Sequence, residues 1–268
     1  MFSAAAAMPF HGIRVLALES RRSAEMAELI RKQGGEPFVA PSMREVPLTE
    51  SDTVFEFGRR LGEGEFDMMV LLTGVGTRQL ARVLGPAFAE SLRRVSIAAR
   101  GPKPAAALRE MGLAPAVTAP SPNTWRELLA VTEGRPERRL AVQEYGRSNP
   151  ELLAGFRARG AEVTAVRVYQ YGLPEDSGPL REAARRLAAG DFQMTLFTTA
   201  VQIEHLAQVA REQGIEDEAL AALRRCRVGS IGPTTTEALE EFGIRPDFEP
   251  EQPKMGFLVR AAADGWSA

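Results

Sequence analysis

Phe66–Leu84 reads FDMMVLLTGVGTRQLARVL, and 126 residues further on Phe192–Ala210 reads FQMTLFTTAVQIEHLAQVA. Each stretch is a short apolar run, a small hydroxyl-bearing turn, then apolar positions at helical spacing, which is the signature of a strand feeding a helix. Working outward, RVLALESRRS (Arg14–Ser23) aligns with RLAVQEYGRS (Arg139–Ser148) at an offset of 125, sharing Arg, Glu, Arg and Ser at matching places. LRRVSIAARGPKPAAALREMG from Leu92 aligns with LRRCRVGSIGPTTTEALEEFG from Leu223 at an offset of 131, which needs only a short insertion. Three blocks in the same order make the chain a duplication, and a period this long is a repeated domain, not a solenoid.

The first copy predicts strands over Ile13–Leu18, Met68–Leu72 and Val95–Ala99. Helices follow at Ala24–Ile30, Thr77–Leu84 and from Gly101-Pro102 to Gly112, with Gly34-Gly35 as the first stop. The second copy gives the same pattern through Leu140–Gln143, Thr195–Phe197 and Arg227–Gly229. Strands alternating with helices at these lengths mean parallel sheets covered on both faces: the α/β class, as two doubly wound, flavodoxin-like lobes. PFVAPSMREVPL (Pro37–Leu48) and AEVTAVRVYQYGLPE (Ala161–Glu175) lack helical periodicity and are rich in prolines or β-branched residues. They read as extended segments that run between lobes as a paired two-strand hinge, each able to begin as a sheet strand.

Composition narrows the function. The chain has 268 residues, 44% hydrophobic and 25% charged, with a formal net charge of -2, the profile of a soluble globular protein with more than one core. One cysteine, Cys226, and two histidines, His11 and His205, are too few for a Cys/His zinc site. There is no basic block of the kind that binds nucleic acid, no apolar run of membrane-spanning length, and no basic leader in MFSAAAAMPFHGIR, so a cytoplasmic protein is expected.

Open parallel sheets bind ligands beyond the carboxyl ends of their strands. The loops there are TGVGT (Thr73–Thr77), ARGPK (Ala99–Lys103), TTAV (Thr198–Val201) and SIGPTTT (Ser230–Thr236). They offer hydroxyls, backbone N–H groups and helix N-termini to carboxylates or phosphates, with Thr73, Gly74, Arg100, Lys103, Thr198, Thr199, Ser230, Thr234 and Thr235 as candidate binding residues. No Walker or dinucleotide fingerprint is present, and simple helix capping accounts for any one loop taken alone. The duplication serves as an internal control. Cys226 falls opposite Val95 and reads as an apolar filler; His205 falls opposite Gln79 and reads as solvated; Tyr169 falls opposite Met43, so the backbone there does not demand a phenol.

The first strand-helix unit, RGAEVTAVRVYQY, FTTAVQIEHL and VGSIGPTTTEALEEFGIRPDFEPEQPKMGFLVRA together resemble the uroporphyrinogen-III synthase family over nearly the whole chain. Two positions depart from the family pattern, Glu19-Ser20-Arg21 after the first strand and Glu144-Tyr145 after its counterpart, and no role is transferred to them. The resemblance implies a two-lobed monomer that converts hydroxymethylbilane, a linear tetrapyrrole, to uroporphyrinogen III with inversion of the last ring, needing no metal or organic cofactor. It implies residues 1–38 plus 173–268 as the first lobe, 48–162 as the second, and 39–47 and 163–172 as linkers. Hydroxymethylbilane synthase, the upstream enzyme, is then a candidate partner. The tyrosine of its VYQ stretch, Tyr169, is the candidate acid, since a phenol with a pKa of about 10 stays protonated at neutral pH. The competing expectation is a two-lobed, non-catalytic binding protein for a small anion, which the same lobes would serve.

Overall fold

The computed structural model describes residues 9–47, 52–144, 146 and 148–266. Leu48 at the end of the first extended segment, Tyr145 and the first eight residues lie outside them. The chain opens with β1 (Arg14–Ala17), α1 (Ser23–Lys32), β2 (Glu36–Val39) and β3 (Arg44–Pro47). It continues through α2 (Asp52–Gly62), β4 (Met68–Leu71), α3 (Gly74–Leu84), α4 (Pro86–Leu92), β5 (Ser96–Ala99) and α5 (Pro102–Glu110). Then come β6 (Val117–Thr118), α6 (Trp125–Val131), β7 (Arg139–Glu144), α7 (Pro150–Ala158), β8 (Glu162–Arg167) and β9 (Tyr169–Gly172). The last part comprises α8 (Gly178–Ala188), β10 (Met194–Phe197), α9 (Val201–Glu212), α10 (Glu216–Leu223), β11 (Arg227–Ser230), α11 (Pro233–Glu241) and α12 (Met255–Trp266).

The chain divides into two compact units, one formed by the residues up to Arg44 together with those from Gly172 onward, the other by Glu45–Tyr171. The first contains a sheet in the order β11-β10-β1-β2, the second a sheet in the order β6-β5-β4-β7-β8, both parallel throughout. The strands β3 and β9 pair with each other where the chain passes from one unit to the other. Each extended segment is thus two strands, one inside a sheet and one in this ribbon.

The registers of the two sheets repeat with the sequence. Val15 stands beside Met194 in one and Leu140 beside Met68 in the other, and Met194 beside Arg227 corresponds to Met68 beside Ser96. The copies are nevertheless not the units. Each unit takes the first two strands of one copy (β1 and β2, or β7 and β8) and the second two of the other (β10 and β11, or β4 and β5). Even the edge strand β6 has a counterpart, reduced to a single parallel bridge between Gly229 and Phe248.

Strand alternation explains the cores. Met69 and Leu71 enter one apolar cluster with α2 and α3, while Met68 and Val70 enter another with α6 and α7. In the first unit Leu16 and Leu18 pack toward α8 and α9, Val15 and Ala17 toward α1 and α12. Both faces of each sheet are covered, so the strands read as continuous apolar runs. That leaves polar side chains at the carboxyl ends of the strands, where the runs stop.

Candidate functional site

In the second unit, β4 ends at Leu71, and Thr73, two residues on, with its extended backbone (φ -141°, ψ 145°) is the N-cap of α3. Its Oγ1 accepts the Gly76 N–H at 3.0 Å, and its carbonyl accepts the Thr77 hydroxyl at 2.8 Å. This cap starts the helix at Gly74, three residues before the periodicity alone predicts. Tyr169 lies at the start of β9 and is buried among Val166, Val168 and Leu71, with its hydroxyl 3.2 Å from Thr73 Oγ1. Thr73 and Tyr169, 96 residues apart, are therefore brought together. Gly74 packs against the first turn of α5 so closely that a Cβ there would sit 2.7 Å from the Lys103 carbonyl oxygen. Arg100 donates its N–H to Leu71 O at 2.9 Å, while the Lys103 side chain is exposed.

Behind Thr73 stands Gln143, the last residue but one of β7 and fully buried. Its Oε1 accepts the N–H of Leu72 at 3.3 Å and of Thr73 at 3.1 Å, and its Nε2 donates to Glu144 O at 2.7 Å and approaches Thr73 Oγ1 at 3.5 Å. Gly76 makes room for it, because a Cβ at that position would fall 2.1 Å from Gln143 Nε2. Glu144, which is also buried, accepts the Ser148 hydroxyl at 2.5 Å and lies 3.7 Å from the Arg167 guanidinium.

In the first unit the loop after β10 is closed by its own side chains. Gln202 Oε1 accepts the N–H of Thr198 at 2.6 Å and of Thr199 at 3.3 Å, and its Nε2 donates to Leu18 O and to Thr198 Oγ1, both at 2.9 Å. The Thr198 hydroxyl donates to Glu19 Oε2 at 2.6 Å, and Glu19 Oε1 accepts the N–H groups of Arg21 and Arg22 at the start of α1. The N–H groups of Thr198 and Thr199 and the Thr198 hydroxyl, expected to face a ligand, are therefore already engaged. At the end of β11, Ser230 is fully buried and its hydroxyl is spent on the turn that follows, donating to Gly232 O at 3.1 Å. Thr235 is buried with its N–H on Gly232 O, so of the two candidate threonines only Thr234 is left partly accessible; the third threonine of this turn, Thr236, gives its hydroxyl to Glu249.

One further expectation changes. His205 is not solvated: it is buried, with Nδ1 2.7 Å from Ser42 O, because α9 is packed on more of its circumference than its polar residues suggest. Its counterpart Gln79 is buried too. Cys226 is half-buried and burial pushes its thiol upward, which suits the filler role. Among the described residues no three His, Cys, Asp or Glu side chains gather as a metal cage. Gln143, Gln202 and Glu19 carry no role in the sequence reading. The available signal was positional: Gln143 is the polar break that ends an apolar strand, and it aligns with Leu18 while Gln202 aligns with Gly76.

The family model for uroporphyrinogen-III synthase HemD matches residues 24–260. A mutant uroporphyrinogen III synthase from the extremely thermophilic bacterium Thermus thermophilus is similar at 28% identity and a TM-score of 0.73, covering 94% of this chain and 98% of that one. The wild-type Thermus enzyme in a second crystal form is similar at 28% identity and a TM-score of 0.56, covering 94% and 97%. Uncharacterized protein YjjA of Bacillus subtilis is 29% identical over 256 residues, 92% of this chain and 94% of that protein.

Proposed function

The chain belongs to the uroporphyrinogen-III synthase family, whose enzymes cyclise hydroxymethylbilane, and from that premise we propose how this chain does so. The reaction is a cyclising dehydration, a lyase chemistry. Tyr169 gives its phenolic proton to the departing hydroxyl, which leaves as water. The azafulvenium cation so formed is attacked by the substituted α-carbon of the far pyrrole, giving a spiro intermediate. That intermediate fragments at the quaternary carbon's original methylene bond, leaving that methylene as the new azafulvenium; the same pyrrole's other, unsubstituted α-carbon closes on it, and the proton this carbon sheds on rearomatising returns to the phenolate. Atoms balance as one bilane in, one macrocycle and one water out.

The observation that carries the reading is the Tyr169 hydroxyl 3.2 Å from Thr73 Oγ1 at the carboxyl end of β4, within a chain matched by the family model from residue 24 to 260. The protein's larger contribution is holding the two ends of the bilane together, an effect of proximity and not of strong acid. The substrate is a polycarboxylate, and each unit offers carboxylate contacts of its own, Arg100 and Lys103 around the start of α5 in one and Thr234 at the start of α11 in the other. The protein works as a monomer in the cytoplasm without cofactor, and takes its unstable substrate from the enzyme that makes it.

The test is the isomer formed. Alone in water the bilane closes head to tail without inversion, to isomer I. Purified protein with excess chelator is expected to switch the product to isomer III, saturably in bilane. A product mixture still dominated by isomer I at high concentration of folded protein overturns the reading in favour of a binding protein.

A further inference from the structure

We propose that Gln143 is a positioning residue that sets the direction of the Thr73–Tyr169 hydrogen bond, making the threonine the donor and the phenol oxygen the acceptor. The inference rests on the reading of Tyr169 as the proton donor, and it follows from counting lone pairs. The orientation of the Gln143 amide is settled by three partners: Leu72 N–H and Thr73 N–H both need an acceptor, which is Oε1, and Glu144 O needs a donor, which is Nε2. Nε2 also faces Thr73 Oγ1 at 3.5 Å, while Gly76 N–H donates to the same oxygen at 3.0 Å. A hydroxyl oxygen has two lone pairs. With both directed at N–H groups, the Thr73 hydroxyl has its hydrogen to give, and the Tyr169 oxygen 3.2 Å away is there to take it.

The chemical consequence concerns acidity. A hydrogen bond donated to the phenol oxygen favours the phenolate and lowers the pKa, whereas one donated by the phenol favours the neutral form and raises it. Gln143 thus sharpens Tyr169 as an acid through Thr73 without touching the substrate. The rest of the molecule shows why this is more than loop support. In the first unit Gln202 caps the equivalent N–H pair from α9, with Leu18 at the position of Gln143, and the tyrosine's counterpart there is Met43. Capping the loop needs a glutamine from either place; only the placement on β7 also puts an amide N–H against the threonine that meets the phenol.

That difference supplies the experiment. The double variant Gln143→Leu/Gly76→Gln transplants the first unit's arrangement into the second, restoring the caps on Leu72 and Thr73 while removing the amide from the Thr73 hydroxyl. The Tyr169 titration is read by NMR of tyrosine labelled at Cζ, assigned with Tyr169→Phe. The folded double variant is expected to titrate higher than wild type by about half a pH unit or more, with kcat lower by about three- to tenfold and KM within about twofold. An unmoved titration with unchanged kcat overturns the proposal.

Thr73→Val gives a sign test that does not depend on the double variant folding. If the threonine donates, its removal raises the Tyr169 midpoint; a fall means that the phenol donates and the proposal is wrong. Wild-type turnover in Tyr169→Phe would sink the proton-donor reading instead, while the direction of the hydrogen bond would still be decided by these titrations.

Discussion

Gln143 and Gln202 hold the same pair of backbone N–H groups in the two units, Leu72 and Thr73 in one and Thr198 and Thr199 in the other, from different elements and different places in the repeat. Leu18 stands where Gln143 would be and Gly76 where Gln202 would be, so one glutamine is used each time and its alternative position is kept apolar or empty. The loop demands an acceptor at this point because a strand has ended and the first N–H groups of the turn have no ladder partner.

Removing the acceptor is therefore costly. Gln202 is fully buried, and Gln202→Ala leaves the Thr198 and Thr199 N–H groups without it, with an expected loss of about 1–3 kcal/mol. Urea unfolding measures it; a midpoint equal to wild type at the same slope would show that water or a shifted loop replaces the amide.

Tyr169→Phe deletes a hydroxyl and leaves the ring that packs against Tyr171, 5.5 Å away between centroids. The fold is expected to stand while turnover falls about 10- to 100-fold, ~1.4 to ~2.7 kcal/mol, with little change in KM. Steady-state kinetics on bilane decide it, and unchanged turnover leaves Tyr169 a packing residue.

Thr234 and Thr235, two of the three threonines that open α11, separate by burial. Thr234→Glu, at a partly accessible position in the first turn, should weaken binding of the carboxylate-rich product by about tenfold (~1.4 kcal/mol) and leave stability intact, since an acidic group suits that end of a helix. Thr235→Glu puts a charge into the core and should destabilise first. Titration with product and thermal unfolding, run on both, distinguish the two; unchanged affinity in Thr234→Glu moves the substrate off this loop.

Acid sensitivity is predicted at the opposite end of the second sheet. Hydrogen bonds from the Arg139 guanidinium, helped by the N–H groups of Arg139 and Arg138, hold the Asp67 carboxyl down at about 2, from 3.8. A carboxyl depressed on folding adds stability that is complete above its unfolded value and lost as pH falls through the folded one. Between about pH 4 and 2 the wild type should lose stability more steeply than Asp67→Asn, as followed by circular dichroism of acid titrations; parallel curves would mean that the pair contributes nothing.

The sequence by itself determined the strands, their order within each repeat and the α/β class, because these follow from local periodicity: Met68–Leu71 and Met194–Phe197 are apolar runs that stop at small polar turns, and nothing distant is needed to read them. Repeat and fold part company at the next level. Strands β1 and β2 pack with β10 and β11 and not with β4 and β5, because the chain leaves the first unit along β3 and comes back along β9, and where a chain crosses is a property of pairing between distant segments. The candidate site divides in the same way. The loops and their hydroxyls were legible, as was Tyr169 through family resemblance. Whether each hydroxyl was free was not, since Thr198 is tied to Glu19 across 179 residues, Ser230 turns inward, and Gln143 reaches back 70 residues to Thr73. A buried donor must find an acceptor wherever the fold places one, so the choice of partner belongs to the tertiary structure.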